Sequence, residues 1–293
     1  MTRMDHRMRI EADVNIVRWW LWPTVLSLDA PAVTLVWQAV TAAVGAVALG
    51  WPAAVVLGSS VWLAYVADRW LEGWRLAPAA VRTVRHAFYQ RRRRVILVVW
   101  LIVAGLDVAV ATRHLSRREL QAGCVLLVPV LAYLLSHQLM HRHHPWRVPK
   151  EGLVALLLAA GVGLFPLARG DASHAGVWLV LLLFAFLCFA NCALISMWEH
   201  DVDRSHGQTS LAMTRASSAW LRRVPWLALL VAAVCGVGTT GDVRVATACA
   251  AASAVLLLLV DAGQRRIGIR RARVLADVSL LTPLAPMLAG WLS

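Results

Sequence analysis

The sequence predicts an all-α integral membrane protein, a bundle of nine transmembrane helices. Of its 293 residues, 60% are hydrophobic and only 15% are charged, and the mean hydropathy is +0.65, a balance unusual for a soluble domain. The apolar residues form long runs, and about 20 such residues cross the ~30 Å hydrocarbon core as a helix. They do not form the alternating segments of about ten residues that are typical of a membrane β-barrel. We therefore expect lipid to be the solvent of this chain.

The elements follow from the apolar runs, which are separated by glycine, proline or arginine clusters. Tight turns at 50–52 and 239–242 divide neighbouring spans. The stretch before Val25 carries several charges and three tryptophans, which indicates a retained interfacial helix and not a signal peptide. The sequence thus predicts a cytoplasmic or interfacial segment over 1–24 and one membrane domain over 25–293. Its nine spans are predicted at 28–49, 52–73, 95–112, 120–137, 152–168, 176–199, 224–240, 243–262 and 275–292.

The basic residues predict the orientation, because nine spans place the termini on opposite sides of the membrane. With a cytoplasmic N-terminus, all but five of the 29 lysine and arginine residues fall in cytoplasmic segments. The net charge of +13 then reflects this bias and contact with anionic lipids, and nucleic-acid binding is not needed to explain it. We expect a multi-pass protein of the bacterial inner membrane. The five exceptions are Arg113, Arg117, Arg118, Arg169 and Arg244.

A first acidic cluster closes the second predicted span. Tyr65, Asp68 and Glu72 are spaced i, i+3 and i+7, so about 100° of rotation per residue places all three on one helix face. Ionisable side chains are costly in a membrane helix, and by default they mark a site, a partner or a relay. The cluster is therefore a candidate site, although solvated charges at the membrane surface are the alternative.

A second acidic cluster closes the sixth predicted span. Glu199 and Asp203 are spaced i and i+4, and Asn191 lies two turns earlier in the same apolar run. If the two helices are neighbours, the clusters supply a facing set of carboxylate oxygens at one membrane surface. Such a set suits Mg²⁺, which prefers carboxylates together with the oxygens of a bound phosphate or diphosphate. The five cysteines lie inside apolar spans without metal-ligand spacing and are expected to be packing residues.

Both clusters resemble the motifs of the UbiA-type intramembrane prenyltransferases. The run Asp68-Arg69-x-x-Glu72-Gly73 is similar to their first motif, N-D-x-x-D-x-x-x-D-G, and Glu199-x-x-x-Asp203-x-x-x-Gly207 is similar to the second, D-x-x-x-D-x-x-x-G. Leu28-Asp29-Ala30-Pro31 resembles the family's L-D-K-P segment. The family's architecture is nine helices with both motifs on the cytoplasmic face, which agrees with the count and orientation above.

The resemblance implies transfer of an isoprenyl group from its diphosphate to a lipophilic, often aromatic, acceptor, with membrane lipids as further partners. It implies Mg²⁺ as cofactor, held by the acids that carry catalysis: Asp68, Glu72, Glu199 and Asp203. Diphosphate contacts are expected from Arg69, Arg147, Lys150, Arg204 and Tyr65. Substrate-pocket contacts are expected from Asn191, Asp29 and Trp198.

The sequence also departs from the family pattern. Ala64-Tyr65 replaces the leading Asn-Asp of the first motif, and glutamates replace the aspartates at 72 and 199. A neutral phenol is a poor Mg²⁺ ligand but can donate a hydrogen bond to a phosphate oxygen. Two alternatives therefore stay open: a terpene cyclase or diphosphate lyase that needs no acceptor, and a non-catalytic isoprenoid-binding membrane protein. A transporter is disfavoured, since the grouped acids lie at an interface and not at the midplane.

Overall fold

The computed structural model describes residues 18–75, 84–136, 150–201, 211–213 and 218–290. Within these ranges every regular element is helical, as predicted. Of the predicted N-terminal segment, 1–24, only the last seven residues are described, and they form the short turns Trp19–Leu21 and Trp22–Val25.

We number the described helices of eight or more residues in chain order. One-turn pieces, among them Ser279–Leu281 and Leu284–Leu288, are left without labels. The helices are α1 (Asp29–Val44), α2 (Trp51–Arg75), α3 (Val84–Arg91), α4 (Arg93–His114), α5 (Arg117–Leu135), α6 (Lys150–Arg169), α7 (Ala175–Trp198), α8 (Val224–Val237), α9 (Gly241–Ile267) and α10 (Ile269–Val278).

Eight of the nine predicted spans coincide with described helices to within a few residues, but the ninth does not. In place of one helix over 275–292, α10 begins six residues earlier and gives way to the 3₁₀ turn Ser279–Leu281 and the short helix Leu284–Leu288. The break lies at Thr282 and Pro283, and the proline ring with its missing N–H disfavours a continuous helix there. The early start matters for the site, since it brings Arg273, which precedes the predicted span, into the same helix as Asp277.

Five described helices are long and apolar enough to cross a membrane, namely α4, α5, α6, α7 and α9. The pair Trp19–Val25 and α1, bent by 74°, brings the number to six if it forms one span. The chain is thus a multi-pass membrane protein, and the count of nine spans stays a prediction.

Helix α7 is the centre of the hydrophobic core. It is apolar on all sides, as expected for a helix buried by its neighbours, and side chains such as Leu183, Phe184 and Leu194 are almost fully buried. Trp37 of α1 stacks on Phe184 with ring centroids 5.3 Å apart, and its indole N–H donates to the Leu280 carbonyl at 2.8 Å. Helix α4, in contrast, has no buried residue, so its apolar surface is left for lipid.

An ion pair joins α5 and α6 at the end of the bundle opposite the acidic motifs. Ser116 and Glu119 form a capping box that starts α5, which satisfies backbone N–H groups that a helix otherwise leaves unpaired. The second oxygen of Glu119 accepts from Arg169 Nε at 2.6 Å, and Arg169 Nη1 donates to the Ala48 carbonyl at 3.2 Å. The loops at this end are thereby held together.

Close packing of α6 on α7 depends on Gly163. A Cβ at this position would lie 2.7 Å from Leu181 Cδ1, so we expect Gly163→Ala to destabilise the protein by about 1–3 kcal/mol through overpacking. Thermal unfolding of the detergent-solubilised protein measures the change. Gly105→Ala on α4 is the matched control, because nothing lies within 4 Å of its added Cβ. Equal melting temperatures for the two variants would contradict the packing described here.

Candidate active site

A cavity of about 580 Å³ runs between the described helices, and most of its charged side chains lie at one end. Charged side chains from several helices meet at that end: Asp68 and Glu72 of α2, Arg85 of α3, Lys150 of α6, Glu199 beyond α7 and Arg273 of α10. Away from this end the lining is mostly apolar and reaches Leu115 and Glu119 at the far side of the bundle. The structure thus brings parts of both acidic clusters to one space, as the sequence predicts.

The first cluster lies on α2 with the predicted geometry, and Tyr65, Asp68 and Glu72 all line the cavity. Arg69 follows Asp68 on the same helix, and its side chain is buried. Its Nη1 donates to the Thr24 carbonyl at 2.7 Å and to Ser27 Oγ at 2.6 Å. Arg69 therefore fastens the turn before α1 to α2, while its guanidinium carbon lies 5.7 Å from the Tyr65 ring centroid.

The turn held by Arg69 has an unusual backbone. Ser27 has φ = 60°, the left-handed region that is uncommon for residues other than glycine, and it is fully buried. Its hydroxyl also hydrogen-bonds the Tyr89 hydroxyl of α3 at 2.8 Å.

In the second cluster, Glu199 is paired with two arginines. Both Glu199 oxygens accept from Arg273 Nη1, at 2.6 and 2.5 Å, and Arg85 Nη2 lies 3.6 Å from Oε2. Burial opposes the charge of Glu199, but attraction by Arg273 and then Arg85 outweighs it and lowers the pKa of Glu199 to about 2. Burial, aided by repulsion from Arg273, lowers the pKa of Arg85 to about 10. The three side chains form a charged cluster with one positive charge in excess.

The two arginines retain unused donors. The Nε–H groups of Arg85 and Arg273 are buried and have no hydrogen-bond partner among the described residues. Buried donors are almost always paired, so these two indicate an acceptor beyond the described residues. An anion with several oxygens, such as a phosphate, fits two adjacent guanidinium groups.

The remaining predicted site residues are placed as follows. Asp29, Lys150 and Asn191 line the cavity. Trp198, which we expected in the substrate pocket, does not line it and packs in the core, where its indole N–H donates to Asp261 Oδ1 at 3.0 Å. It points away because α7 turns about 100° per residue, and Glu199 takes the side that faces the cavity. Arg147, Asp203 and Arg204 lie outside the described residues.

The geometry can be compared with known proteins at this point. Among solved structures, the chain is similar to the apo structure of a UbiA homolog from Aeropyrum pernix K1, with a TM-score of 0.62 and 18% sequence identity. The likeness covers 94% of this chain and 99% of that chain. The chain has a UbiA-type fold. No protein-family model and no curated protein sequence matches it.

The UbiA-type fold confirms the resemblance drawn from the two motifs and the predicted all-α membrane architecture. It also explains why residues distant in the chain meet at one cavity. At 18% identity the likeness concerns the fold alone, so the reaction has to be argued from the side chains that this chain places there.

Sequence reasoning missed six charged residues that line this cavity, namely Arg85, Asp107, Glu119, Glu151, Arg273 and Asp277. Of these, Arg85, Arg273 and Asp277 lie near its charged end. The arginines belong to basic runs that we assigned to the positive-inside bias, and no spacing separates them from their neighbours. Asp277 did carry a signal. It lies within the predicted span 275–292, and an acidic residue in an apolar span marks a candidate site by default, as the two clusters do.

The donor set fits a Mg²⁺ ion only in part. Asp68 and Glu72 supply carboxylates one turn apart on α2, whereas Glu199 already accepts from Arg273 with both oxygens. Among the described residues no group of three His, Cys, Asp or Glu side chains is arranged to hold a metal ion. The role of Asp203 stays a prediction.

A polar contact also interrupts the apolar part of the cavity. Asp107 of α4 accepts from Ser59 Oγ at 2.5 Å and from Ser60 Oγ at 3.0 Å, both on α2. The two serines satisfy the carboxylate and tie α4, whose surface faces lipid, to the wall of the cavity.

Proposed function

We propose that this protein is an intramembrane prenyltransferase that moves an isoprenyl group from its diphosphate to a lipophilic aromatic acceptor. One observation carries the proposal: a single cavity joins a guanidinium-lined end to an apolar interior. An amphiphile with an anionic head and a hydrocarbon tail matches both halves. The volume of about 580 Å³ lies within the range of ligand pockets. We further propose that the charged end faces the cytoplasm of a bacterial inner membrane, following the distribution of basic residues.

The diphosphate head is assigned to the charged end. Arg85 and Arg273 offer it their unpaired Nε–H groups, and Lys150 adds a third positive charge to the lining. Arg147 and Arg204, outside the described residues, remain candidates for further contacts. When the allylic C–O bond breaks, its electron pair leaves with the diphosphate, and cations already in place stabilise the charge that develops. Mg²⁺, held by Asp68 and Glu72 with Asp203 as a further candidate ligand, would add positive charge on the same leaving group.

The prenyl tail is assigned to the apolar part of the cavity. Along α2 this part extends from Asp68 back to Val56, about 18 Å at 1.5 Å per residue. Its walls are valine and leucine side chains of α2, α5 and α6, which favour a hydrocarbon chain and exclude water from the reacting carbon. Tyr65 lines the cavity one turn from Asp68, and we propose that its hydroxyl donates to a diphosphate oxygen while its ring stabilises an allylic cation by cation–π attraction.

Pyrophosphate release tests this proposal. We expect the purified full-length protein to release pyrophosphate from geranyl or geranylgeranyl diphosphate when Mg²⁺ and an acceptor-containing membrane extract are both present, and to stop when EDTA is added. Release that persists without extract would instead favour the cyclase or lyase. If no allylic diphosphate is bound or cleaved under any of these conditions, the enzymatic proposal is wrong.

A further inference from the structure

Four consecutive arginines, residues 91–94, connect α3 to α4 outside the cavity, and we call them the arginine turn. All four side chains are exposed, and Arg92, with φ = −108° and ψ = 22°, interrupts the helix between α3 and α4. Among the described residues, Arg92, Arg93 and Arg94 pair with no carboxylate. The arginine turn is therefore a concentration of positive charge that the described part of the chain does not neutralise.

The arginine turn coincides with the N-terminus of α4, which is itself positive. Arg93 and Arg94 are the first two residues of α4, where the helix dipole disfavours cations. The N-cap residue Arg92 makes no capping hydrogen bond, since a guanidinium has no acceptor atom to offer the backbone N–H groups. An anion at this place would be attracted by the guanidinium groups and by the helix end together.

The apolar surface of α4 begins directly beside the arginine turn. Val95 follows Arg94 and is 58% exposed. At i+4, i+7 and i+11 from Val95 the same helix face continues with exposed side chains, and we call the four residues the apolar stripe: Val95, Val99, Ile102 and Leu106. A hydrocarbon chain attached to an anion at the turn would lie along this stripe.

Two indole rings of α2 lie beside the turn. Trp70 Nε1 donates to the Arg93 carbonyl at 3.1 Å, and the Trp70 and Trp74 ring centroids are 5.1 Å apart. Trp74 is among the exposed hydrophobic residues. Because indole rings are favoured at the boundary between lipid headgroups and hydrocarbon, the arginine turn lies at headgroup depth.

Through α3, the arginine turn is also linked to the charged end of the cavity. Arg92 alone separates α3 from α4, and its guanidinium carbon lies 6.0 Å from the Phe88 ring centroid. The same helix α3 carries Arg85, seven residues before Arg92 and about 10 Å away along the helix. A ligand that restrains the end of α3 at the turn therefore restrains Arg85 as well.

We propose that the arginine turn binds the headgroup of an anionic phospholipid, whose acyl chain lies along the apolar stripe, and that the bound lipid holds α3 in place. The guanidinium groups contact the lipid phosphate, for which their planar donor groups are suited. A nucleic acid or an acidic peptide would match the arginines but not the apolar stripe that begins beside them. The site lies outside the cavity, so it does not depend on the proposed transfer reaction.

Hydrogen exchange of the full-length protein in detergent micelles tests the headgroup site. We expect micelles that contain dioleoylphosphatidylglycerol to slow exchange of the α3 amides about tenfold relative to micelles that contain dioleoylphosphatidylcholine, because bound lipid restrains the helix end. Each arginine near an anionic lipid strengthens binding about fivefold, so Arg93→Gln/Arg94→Gln should remove most of this protection. Mass spectrometry of peptides that span 84–91 measures the exchange.

Arg265→Gln/Arg266→Gln is the matched control. These two arginines, in the last turn of α9, are also consecutive and exposed, and their loss changes the net charge equally. We expect the control to keep the tenfold protection of α3. Equal exchange in the two kinds of micelle, or loss of protection in both variants, would overturn the proposal. The same protection by sn-glycerol 3-phosphate alone would also overturn it, because the turn would then bind a free phosphate and not a lipid.

A phosphatidylglycerol with a photoactivatable diazirine in its acyl chain tests the apolar stripe. We expect crosslinks on the stripe in the unaltered protein and in the control, and about tenfold fewer in Arg93→Gln/Arg94→Gln. Crosslinks that stay unchanged in that variant would mean that the chain reaches α4 as bulk lipid, and the site would be wrong. No diphosphate is present in either experiment, so neither result depends on whether the protein transfers prenyl groups.

Discussion

Arg273→Gln is expected to destabilise the protein by about 2–3 kcal/mol and to abolish tight binding of allylic diphosphates. The substitution leaves the largely buried Glu199 carboxylate with only the more distant Arg85, and breaking a buried pair by removing one partner is costly. It also removes one of the two unpaired Nε–H donors from the proposed diphosphate site. Thermal unfolding and equilibrium binding of geranylgeranyl diphosphate measure the two effects separately.

A second substitution separates stability from binding. Glu199→Gln/Arg273→Gln removes both charges, so most of the lost stability should return while diphosphate binding stays weak. Arg271→Gln, on the exposed face of the same helix, should change neither quantity. Tight diphosphate binding by the double variant would contradict the role of Arg273 as a ligand.

The contribution of the Glu199–Arg273 ion pair to the free energy of unfolding is expected to depend on pH. The folded pKa of Glu199, about 2, is depressed below the ordinary value of 4.5. The contribution of Glu199 is therefore complete above about pH 4.5 and is lost as the pH falls toward 2. In the Glu199→Gln/Arg273→Gln variant this acid-dependent part should be missing.

Asp68→Asn is expected to lower turnover by about 10²–10³-fold. The amide has the shape of the carboxylate but no charge, and it is a weaker ligand for Mg²⁺ next to a diphosphate. Pyrophosphate release at saturating substrate and varied Mg²⁺ gives both the rate and the metal requirement.

The matched control for this change is Asp201→Asn. Asp201 lies two residues beyond Glu199 but is fully exposed, so its neutralisation should leave the rate unchanged. If Asp68→Asn and Asp201→Asn retain the same activity, Asp68 has no part in the reaction and the α2 motif is an interface charge cluster.

The sequence was sufficient for the helices and for part of the site. Apolar runs of about 20 residues mark membrane helices strongly, so most bounds agree, and a fixed helical period put Tyr65, Asp68 and Glu72 on one face. The exception is informative. The run 275–292 has the composition of a span, but its backbone is divided at Thr282 and Pro283 into the end of α10, a 3₁₀ turn and a short helix.

The other half of the site depends on contacts between distant parts of the chain. Arg273 reaches Glu199 across 74 residues, and Asn191 reaches Asp277 across 86. Periodicity describes one helix at a time and does not say which arginine of a basic run turns inward. For the same reason the sequence predicts Glu199 as a metal ligand but does not predict that the guanidinium of Arg273 contacts it.

Helix α10 contributes two charged residues to the cavity, Arg273 at the proposed diphosphate site and Asp277 one turn further along. Because both side chains belong to one helix of ten residues, a displacement of α10 on diphosphate binding also changes the part of the cavity that remains for the acceptor. Thermodynamic linkage makes such coupling reciprocal. The factor by which bound diphosphate changes the affinity for the acceptor equals the factor by which bound acceptor changes the affinity for the diphosphate. A short helix near the end of the chain thus connects the energetics of donor and acceptor binding.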